Sequence, residues 1–164
     1  MEYRNKYDVL VVGGGHAGCE AAYSAATLGS RVLLISQNLE TIARMSCNPA
    51  MGGIAKGQIL REIDALGGMS AIVTDRSTIQ FRMLNKSKGP AMWSPRAQCD
   101  RKLFEKEWRL ALEGNKNIDF YQDSVEKIII ENKRAVGVVT KMGVKIESRA
   151  VVLCNGTFLN GLIH

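Results

Sequence analysis

An α/β fold is what this 164-residue chain predicts, on three observations. The stretch YDVLVVGGGHAGCEAAYSAATLGSRVLLIS runs from an apolar segment (Val9 to Val12) through a glycine turn and an Ala-rich segment stopped by Gly29 to a second apolar segment (Val32 to Ile35). That order is a βαβ unit. The last third changes period, from a short strand in IDFYQD to alternating segments that read as a β-meander feeding a final apolar strand. Between them, KGQILREIDALGG carries Ile59, Leu60, Ile63 and Leu66 at amphipathic helical spacing before Gly67 and Gly68 stop it.

The remaining elements follow in chain order. MSCNPAMGGIAKG, from Met45 to Gly57, has neither helical nor strand periodicity and reads as an irregular loop. From Met69 to Arg96 the chain is mixed, basic and irregular, with turn signals at Gly89-Pro90 and Ser94-Pro95. A helix is expected from Ala97 to Leu112, with Leu103, Trp108 and Leu112 among its apolar positions. The meander segments VEKIIIEN, RAVGVVTK and VKIESRAVVLCNG turn at Asn132-Lys133 and Met142-Gly143. There is no internal repeat, and the length suits one domain over 1–164 with a single core.

Composition narrows the function classes. No apolar run approaches the roughly 18 residues of a membrane span, and the N-terminus has no apolar region leading to a cleavage site, so a soluble cytoplasmic protein without membrane contact is expected. Cys19, Cys47, Cys99 and Cys154 form no C-x-x-C pair, which favours reduced thiols, and with only His16 and His164 beside them no metal site is expected. The net charge is +6, and residues 76–102 carry seven basic residues against one acidic, Asp100. This segment therefore holds the whole excess. It suits a polyanion partner, since neutralising phosphates releases counterions, and equally a solvated basic face.

Gly13-x-Gly15-x-x-Gly18 follows a predicted strand and opens a predicted helix, the context that makes this pattern a dinucleotide fingerprint. Gly13 permits the tight turn, Gly15 lets backbone approach a pyrophosphate, and Gly18 lets helix and strand pack closely. The phosphates are expected at the helix N-terminus. The acidic residue expected about 20 residues later, to hold the ribose, is absent: the second strand ends ISQN and the first carboxylate is Glu40. Gln37 or Asn38 can offer an amide there instead.

The meander resembles the FAD-binding domain of the glutathione-reductase type. In such domains the backbone after the third parallel strand meets the adenine, which here is Val125, and the glycine after the last strand, here Gly156, lies near the cofactor. The resemblance implies a Rossmann-like FAD domain that is incomplete at the C-terminus.

Five stretches carry a narrower resemblance: VVGGGHAGCEAA, MSCNPAMGGIAKG, EIDALGG, KGPAMWSPRAQCDR and VVLCNGTFLNG. Together they resemble the N-terminal portion of the MnmG (GidA) family, FAD-dependent tRNA uridine 5-carboxymethylaminomethyl modification enzymes. That family also shows an amide near Asn38. The resemblance implies wobble-uridine modification with the GTPase MnmE as partner, a one-carbon unit from methylenetetrahydrofolate, an amine from glycine or ammonium, and FAD reducible by NADH at a site outside this chain. It implies tRNA as substrate, a homodimer in the full-length protein, and a chain that is the first part of a much longer one. Carried over by position, Gly13, Gly14, Gly15, His16, Ala17 and Gly18 hold the FAD pyrophosphate, Val125 meets the adenine, and Cys47 matches one of two functional cysteines. The enzyme alternative is the folate- and FAD-dependent tRNA uridine methyltransferase, which carries an acid after the second strand where this chain has none. A non-catalytic FAD-binding module stands as the reading from another class.

Two readings stand for most single residues. Cys47 is either a nucleophile toward C6 of uridine, activated by Lys56 and a helix beginning near Gly57, or a loop thiol that packs. Cys19 and Cys154 read as small buried hydrophobes, and Cys99, at a helix start, as structural. His16 is expected to bind through its backbone N–H. Trp93 either stacks on a base or covers a core edge. Lys86, Lys88, Arg96 and Arg101 are candidate nucleic-acid contacts, with surface solvation as their alternative.

Overall fold

The computed structural model describes residues 2–45 and 47–157. In chain order the elements are β1 (Glu2–Val12), α1 (His16–Thr27), β2 (Val32–Ser36), β3 (Ala50–Gly52), α2 (Lys56–Ala65), α3 (Ser70–Ser77), β4 (Thr78–Leu84), β5 (Ser94–Cys99), α4 (Arg101–Glu113), β6 (Ile118–Gln122), β7 (Val125–Glu131), β8 (Arg134–Thr140) and β9 (Lys145–Leu153). Single 3-10 turns lie at Leu39–Thr41, Lys86–Lys88 and Pro90–Met92. Where the sequence suggests one core, the chain divides into two compact units: Met1–Ile42 with Leu112–His164, and Ala43–Ala111. Among the described residues no helix is long and apolar enough to cross a membrane, and no cluster of His, Cys, Asp and Glu is placed to hold a metal ion.

The first unit is built on a six-stranded sheet in the order β6-β2-β1-β9-β8-β7. The neighbours from β6 to β9 run parallel, and β8 and β7 extend the sheet antiparallel. This is the α/β architecture expected. Alternation sorts the side chains: Leu10, Val12, Leu33 and Ile35 join Tyr7, Val138, Val144 and Ile146 in one buried cluster. Each such side chain removed from water contributes about 1.5–3 kcal/mol. Helix α1 packs on β1 and β2 and buries Cys19, Ala22 and Ala26. Those small side chains let the helix lie close to the strands, which is why its sequence is Ala-rich rather than Leu-rich.

The meander differs from expectation in one respect. Its third strand and the final apolar strand are a single strand, β9, which pairs parallel with β1 along its length, with a register shift between Tyr3 and Tyr7, and whose residues Lys145 to Glu147 also pair antiparallel with β8. No turn residue interrupts KIESRAVVL, so one strand serves both pairings.

The second unit carries a three-stranded antiparallel sheet, β3-β5-β4, with α2 and α3 beside it. Two expectations are corrected here. Residues 69–96, read as irregular, contain α3, β4 and the first half of β5. Helix α3 hides from periodicity because its buried face is polar: the Thr74 hydroxyl donates to the Ser70 carbonyl at 2.7 Å and the Ser77 hydroxyl to that of Val73 at 2.8 Å. Strand β4 hides because Ile79, Gln80, Phe81 and Arg82 are all exposed. The helix expected from Ala97 starts at Arg101. Asp100 caps it, its carboxylate accepting the Leu103 N–H at 2.8 Å, so Ala97 to Cys99 stay in β5 and Cys99 ends a strand rather than starting a helix.

Asp8 ties the three central strands of the first unit. Its carboxylate accepts the Arg31 backbone N–H at 2.9 Å, ahead of β2, and pairs with Arg149 of β9 at 3.3 Å. These partners, the backbone hydrogen bond first, hold its pKa below the usual carboxylate range. A depressed pKa stabilises the fold above the unfolded-state value of about 3.9, and the contribution is lost as pH falls through the folded value. Asp8→Asn is therefore expected to lower the melting temperature at neutral pH and to make no difference in strong acid. Equal losses at both pH values would show that the charge is not what matters.

Candidate functional site

The glycine turn lies where β1 gives way to α1, at the carboxyl ends of the parallel strands. Strand β1 has β2 on one side and β9 on the other, so the chain reverses its direction of travel across the sheet at this point. Ligands of open α/β sheets bind outside the strand ends at such a switch. The Gly13 N–H donates to the Ile35 carbonyl at 2.8 Å, and the Cys154 N–H donates to that of Val12 at 2.7 Å, which seats the end of β9 against the turn.

Each glycine has its own reason. Gly13 has φ +107°, and a Cβ there would overlap the Cys154 carbonyl oxygen. A Cβ on Gly18 would overlap the Gly13 carbonyl oxygen, so the first turn of α1 lies directly on the loop. Gly14 is buried against Ser36 and Ile42, either of which would stand 3.1 Å from a Cβ. Gly15 is the opposite case: it is exposed, and a Cβ there would meet nothing within 4 Å. Gly15 precedes α1 without a capping side chain, and the first turn holds no acid. The amides at the head of a helix lack acceptors within it, and together with the helix dipole they favour an anion. His16 and Ala17 form the rim of this opening, His16 half-buried and Ala17 exposed.

The end of β2 shows what replaces the missing acid. The Asn38 carboxamide oxygen accepts the Glu40 N–H at 2.8 Å, capping the turn Leu39–Thr41, and the Thr41 hydroxyl donates to the Asn38 carbonyl at 3.0 Å. Asn38 thus shapes this corner with its own oxygen, which leaves its amide nitrogen and the exposed Gln37 as donors. Val125 opens β7, with its side chain packed on the core cluster. The group it can present to a ligand is its backbone, as the adenine reading requires. Gly156, at φ +57°, follows β9 two residues beyond Cys154.

In the second unit, Cys47 is exposed, whereas Cys19 and Cys99 are buried and Cys154 is half-buried with burial pushing its thiol pKa up. The basic partner of the Cys47 backbone is Arg101, whose guanidinium donates to the Cys47 carbonyl at 2.7 Å. Lys56, expected to activate this thiol, donates instead to the Ala50 carbonyl at 3.3 Å. Desolvation lowers its pKa, with the nearby Cys99 rather than Cys47 opposing that shift. Gly52 and Gly57 are demanded by packing, since a Cβ on either would press on the Pro95 carbonyl oxygen. Ser46 in this loop, residues 158–161 of the motif VVLCNGTFLNG, and His164 lie outside the described residues.

With this geometry in place, the sequence matches the family described as glucose inhibited division protein A over residues 8–164. The chain belongs to that family. It is 66% identical over 162 residues to the tRNA uridine 5-carboxymethylaminomethyl modification enzyme MnmG of Flavobacterium johnsoniae, covering 99% of this chain and 26% of that protein. The structure of GidA from Aquifex aeolicus superposes with a TM-score of 0.91 at 49% identity, over 95% of this chain and 26% of that one. PqsL of Pseudomonas aeruginosa, a probable FAD-dependent monooxygenase, shares the fold with a TM-score of 0.67 at 21% identity, over 94% of this chain and 43% of that one. The chain spans about a quarter of the length of the curated GidA relatives it matches.

Within this GidA chain the structure gathers Cys47 and Arg101 in the second unit, and gathers the glycines with Ser36 and Cys154 in the first. Lys86 is joined to Trp93, whose indole N–H donates to its carbonyl at 3.2 Å, while Lys88 stays exposed and Arg96 half-buried. Sequence reasoning missed Arg82 as a partner of Arg96. The signal was present in the alternation of IQFRML against SPRAQC, but the surrounding turn residues masked it.

Proposed function

We propose that this chain provides the FAD-binding turn and the uridine-facing thiol of a tRNA wobble-uridine modification enzyme. The observation that carries the reading is a pyrophosphate-type glycine turn, open only at Gly15, in a chain 66% identical to a relative named for that modification. FAD suits the residues present. Gly13 to Gly18 bring backbone amides and a helix dipole to a point where a Cβ is absent, and Val125 offers backbone to an adenine. When bound, FAD supplies the redox steps, with NADH as reductant.

The chain's own part is binding and nucleophilic addition. The Cys47 thiolate adds to C6 of the uridine, and the C5–C6 electron pair moves onto the C4 carbonyl oxygen. C5 is then nucleophilic enough to attack the methylene carbon of methylenetetrahydrofolate in its iminium form, the C=N electron pair passing to the folate nitrogen, and tetrahydrofolate leaves when the amine takes its place at that carbon. Loss of the C5 proton re-forms the double bond and expels the thiolate. Arg101 holds the Cys47 backbone, which fixes where the thiol starts. Glycine or ammonium as amine source, the MnmE GTPase as partner, a homodimer and a cytoplasmic location complete the proposal.

The test is made on tRNA from a bacterium lacking the gene for this protein. Mass analysis of its nucleosides is expected to lack the 5-carboxymethylaminomethyl group at the wobble position, and expression of the whole protein is expected to restore it. Wild-type wobble uridine in the deletion strain would contradict the reading.

A further inference from the structure

The β4–β5 hairpin carries a charge arrangement that its own fold does not need. Arg82 of β4 and Arg96 of β5 stand directly opposite in the register, and Gln80 stands opposite Gln98 on the same face. Like charges opposed across a strand pair destabilise it. In the same unit Arg44 pairs with Glu105, Arg76 pairs with Glu107, and Arg101 reaches the Cys47 carbonyl. The guanidinium groups of Arg82 and Arg96 have no acceptor among the described residues, although Arg96 is half-buried. Residues 78–99 contain no acidic residue at all, and the one nearby, Asp100, is committed to the N-terminus of α4. The hairpin itself therefore supplies no neutralising group.

The hairpin's connection adds a second, independent observation. Residues 85–93 fold into two 3-10 turns that leave Lys86 and Lys88 exposed. Trp93 is held from both ends: its indole N–H donates to the Lys86 carbonyl at 3.2 Å, and its own carbonyl accepts the Gln58 side-chain amide at 3.3 Å. Its side of the loop is still open, since Trp93 is 45% exposed. An indole fixed in orientation with part of its surface toward solvent is what a stacking platform requires.

We propose that this hairpin seats a single-stranded segment of RNA. Arg82 and Arg96 grip one backbone phosphate between their planar forks, Lys86 and Lys88 follow the adjoining backbone, and Trp93 stacks on an unpaired base. The inference rests on the tRNA reading above and adds where the tRNA is held. A single strand is favoured over a duplex because only an unstacked base can reach an aromatic face. A tRNA presents such bases in its anticodon loop, where the wobble uridine lies.

The test uses the whole protein and an unmodified anticodon stem-loop RNA titrated at several salt concentrations. In the Arg82→Gln, Arg96→Gln double variant, affinity is expected to fall about tenfold or more and the slope of log K against log salt to shrink by roughly 0.7, one phosphate contact to a single strand. Its melting temperature is expected to equal or exceed the wild type's, because the opposed charges are gone. A merely structural arginine pair would lower it. Trp93→Leu is expected to weaken binding by about tenfold while leaving the slope unchanged. Wild-type affinity and slope in the double variant overturn the inference alone. A wild-type protein that does not bind the stem-loop overturns the tRNA reading and the inference with it.

Discussion

Gly13→Ala is expected to strip the whole protein of flavin and to destabilise its first unit by about 2–6 kcal/mol. Two effects add. Alanine at φ +107° is strained by about 1–3 kcal/mol, and its Cβ overlaps the Cys154 carbonyl, a backbone group that cannot swing aside, for about another 1–3 kcal/mol. Against a typical domain stability of about 5–15 kcal/mol, that is a large share. The comparison that gives the result its meaning is Gly15→Ala. Gly15 has φ −75° and open space where its Cβ would stand, so alanine there is expected to leave the melting temperature unchanged. It is expected to weaken flavin binding all the same, because the new methyl group enters the space assigned to the pyrophosphate. Thermal unfolding and flavin absorbance on both variants separate the two roles. If Gly15→Ala retains flavin with wild-type affinity, the opening at Gly15 is not a ligand site.

Cys47→Ser is the second. Cys47 is exposed, so replacing sulfur by oxygen is expected to change stability by less than about 0.5 kcal/mol and to leave the flavin in place. Wobble modification is expected to fall by at least about a thousandfold, since a serine hydroxyl at its ordinary pKa is a poor nucleophile toward C6. Arg101→Ala is expected to give an intermediate loss, because it frees the Cys47 carbonyl without touching the thiol. Modification at the wild-type rate in Cys47→Ser would reduce the residue to a loop thiol.

These expectations draw unequally on sequence and structure. The βαβ unit and its glycines were legible because strand, turn and helix each follow from local rules, and the spacing of Gly13, Gly15 and Gly18 marks the turn between them. The meander strands were legible through their alternation. What stayed hidden depended on contacts distant in sequence or on polar burial. Helix α3 buries Ser70, Thr74 and Ser77 around a single apolar residue, Val73, so no apolar stripe of period 3.6 marks it. The start of α4 was set by Asp100 as a cap, and the apolar pattern around Ala97 overran it. Lys56 is nine residues from Cys47 and is the activator that proximity in sequence suggests, yet Arg101, 54 residues away, is the group that reaches the Cys47 backbone, while Lys56 bonds to Ala50. Gln37 or Asn38 is expected to offer an amide in place of a ribose-binding acid, and Asn38 has in addition a capping role that only the turn at Leu39–Thr41 reveals.

The central claim is that the turn from Gly13 to Gly18 receives the pyrophosphate of FAD. Denaturing the purified whole protein and identifying the released flavin by mass tests this directly, because FMN shares the flavin ring but has no pyrophosphate. FAD is the expected product, released in amounts near one per chain. FMN in its place, or a colourless protein that takes up no FAD, would contradict it.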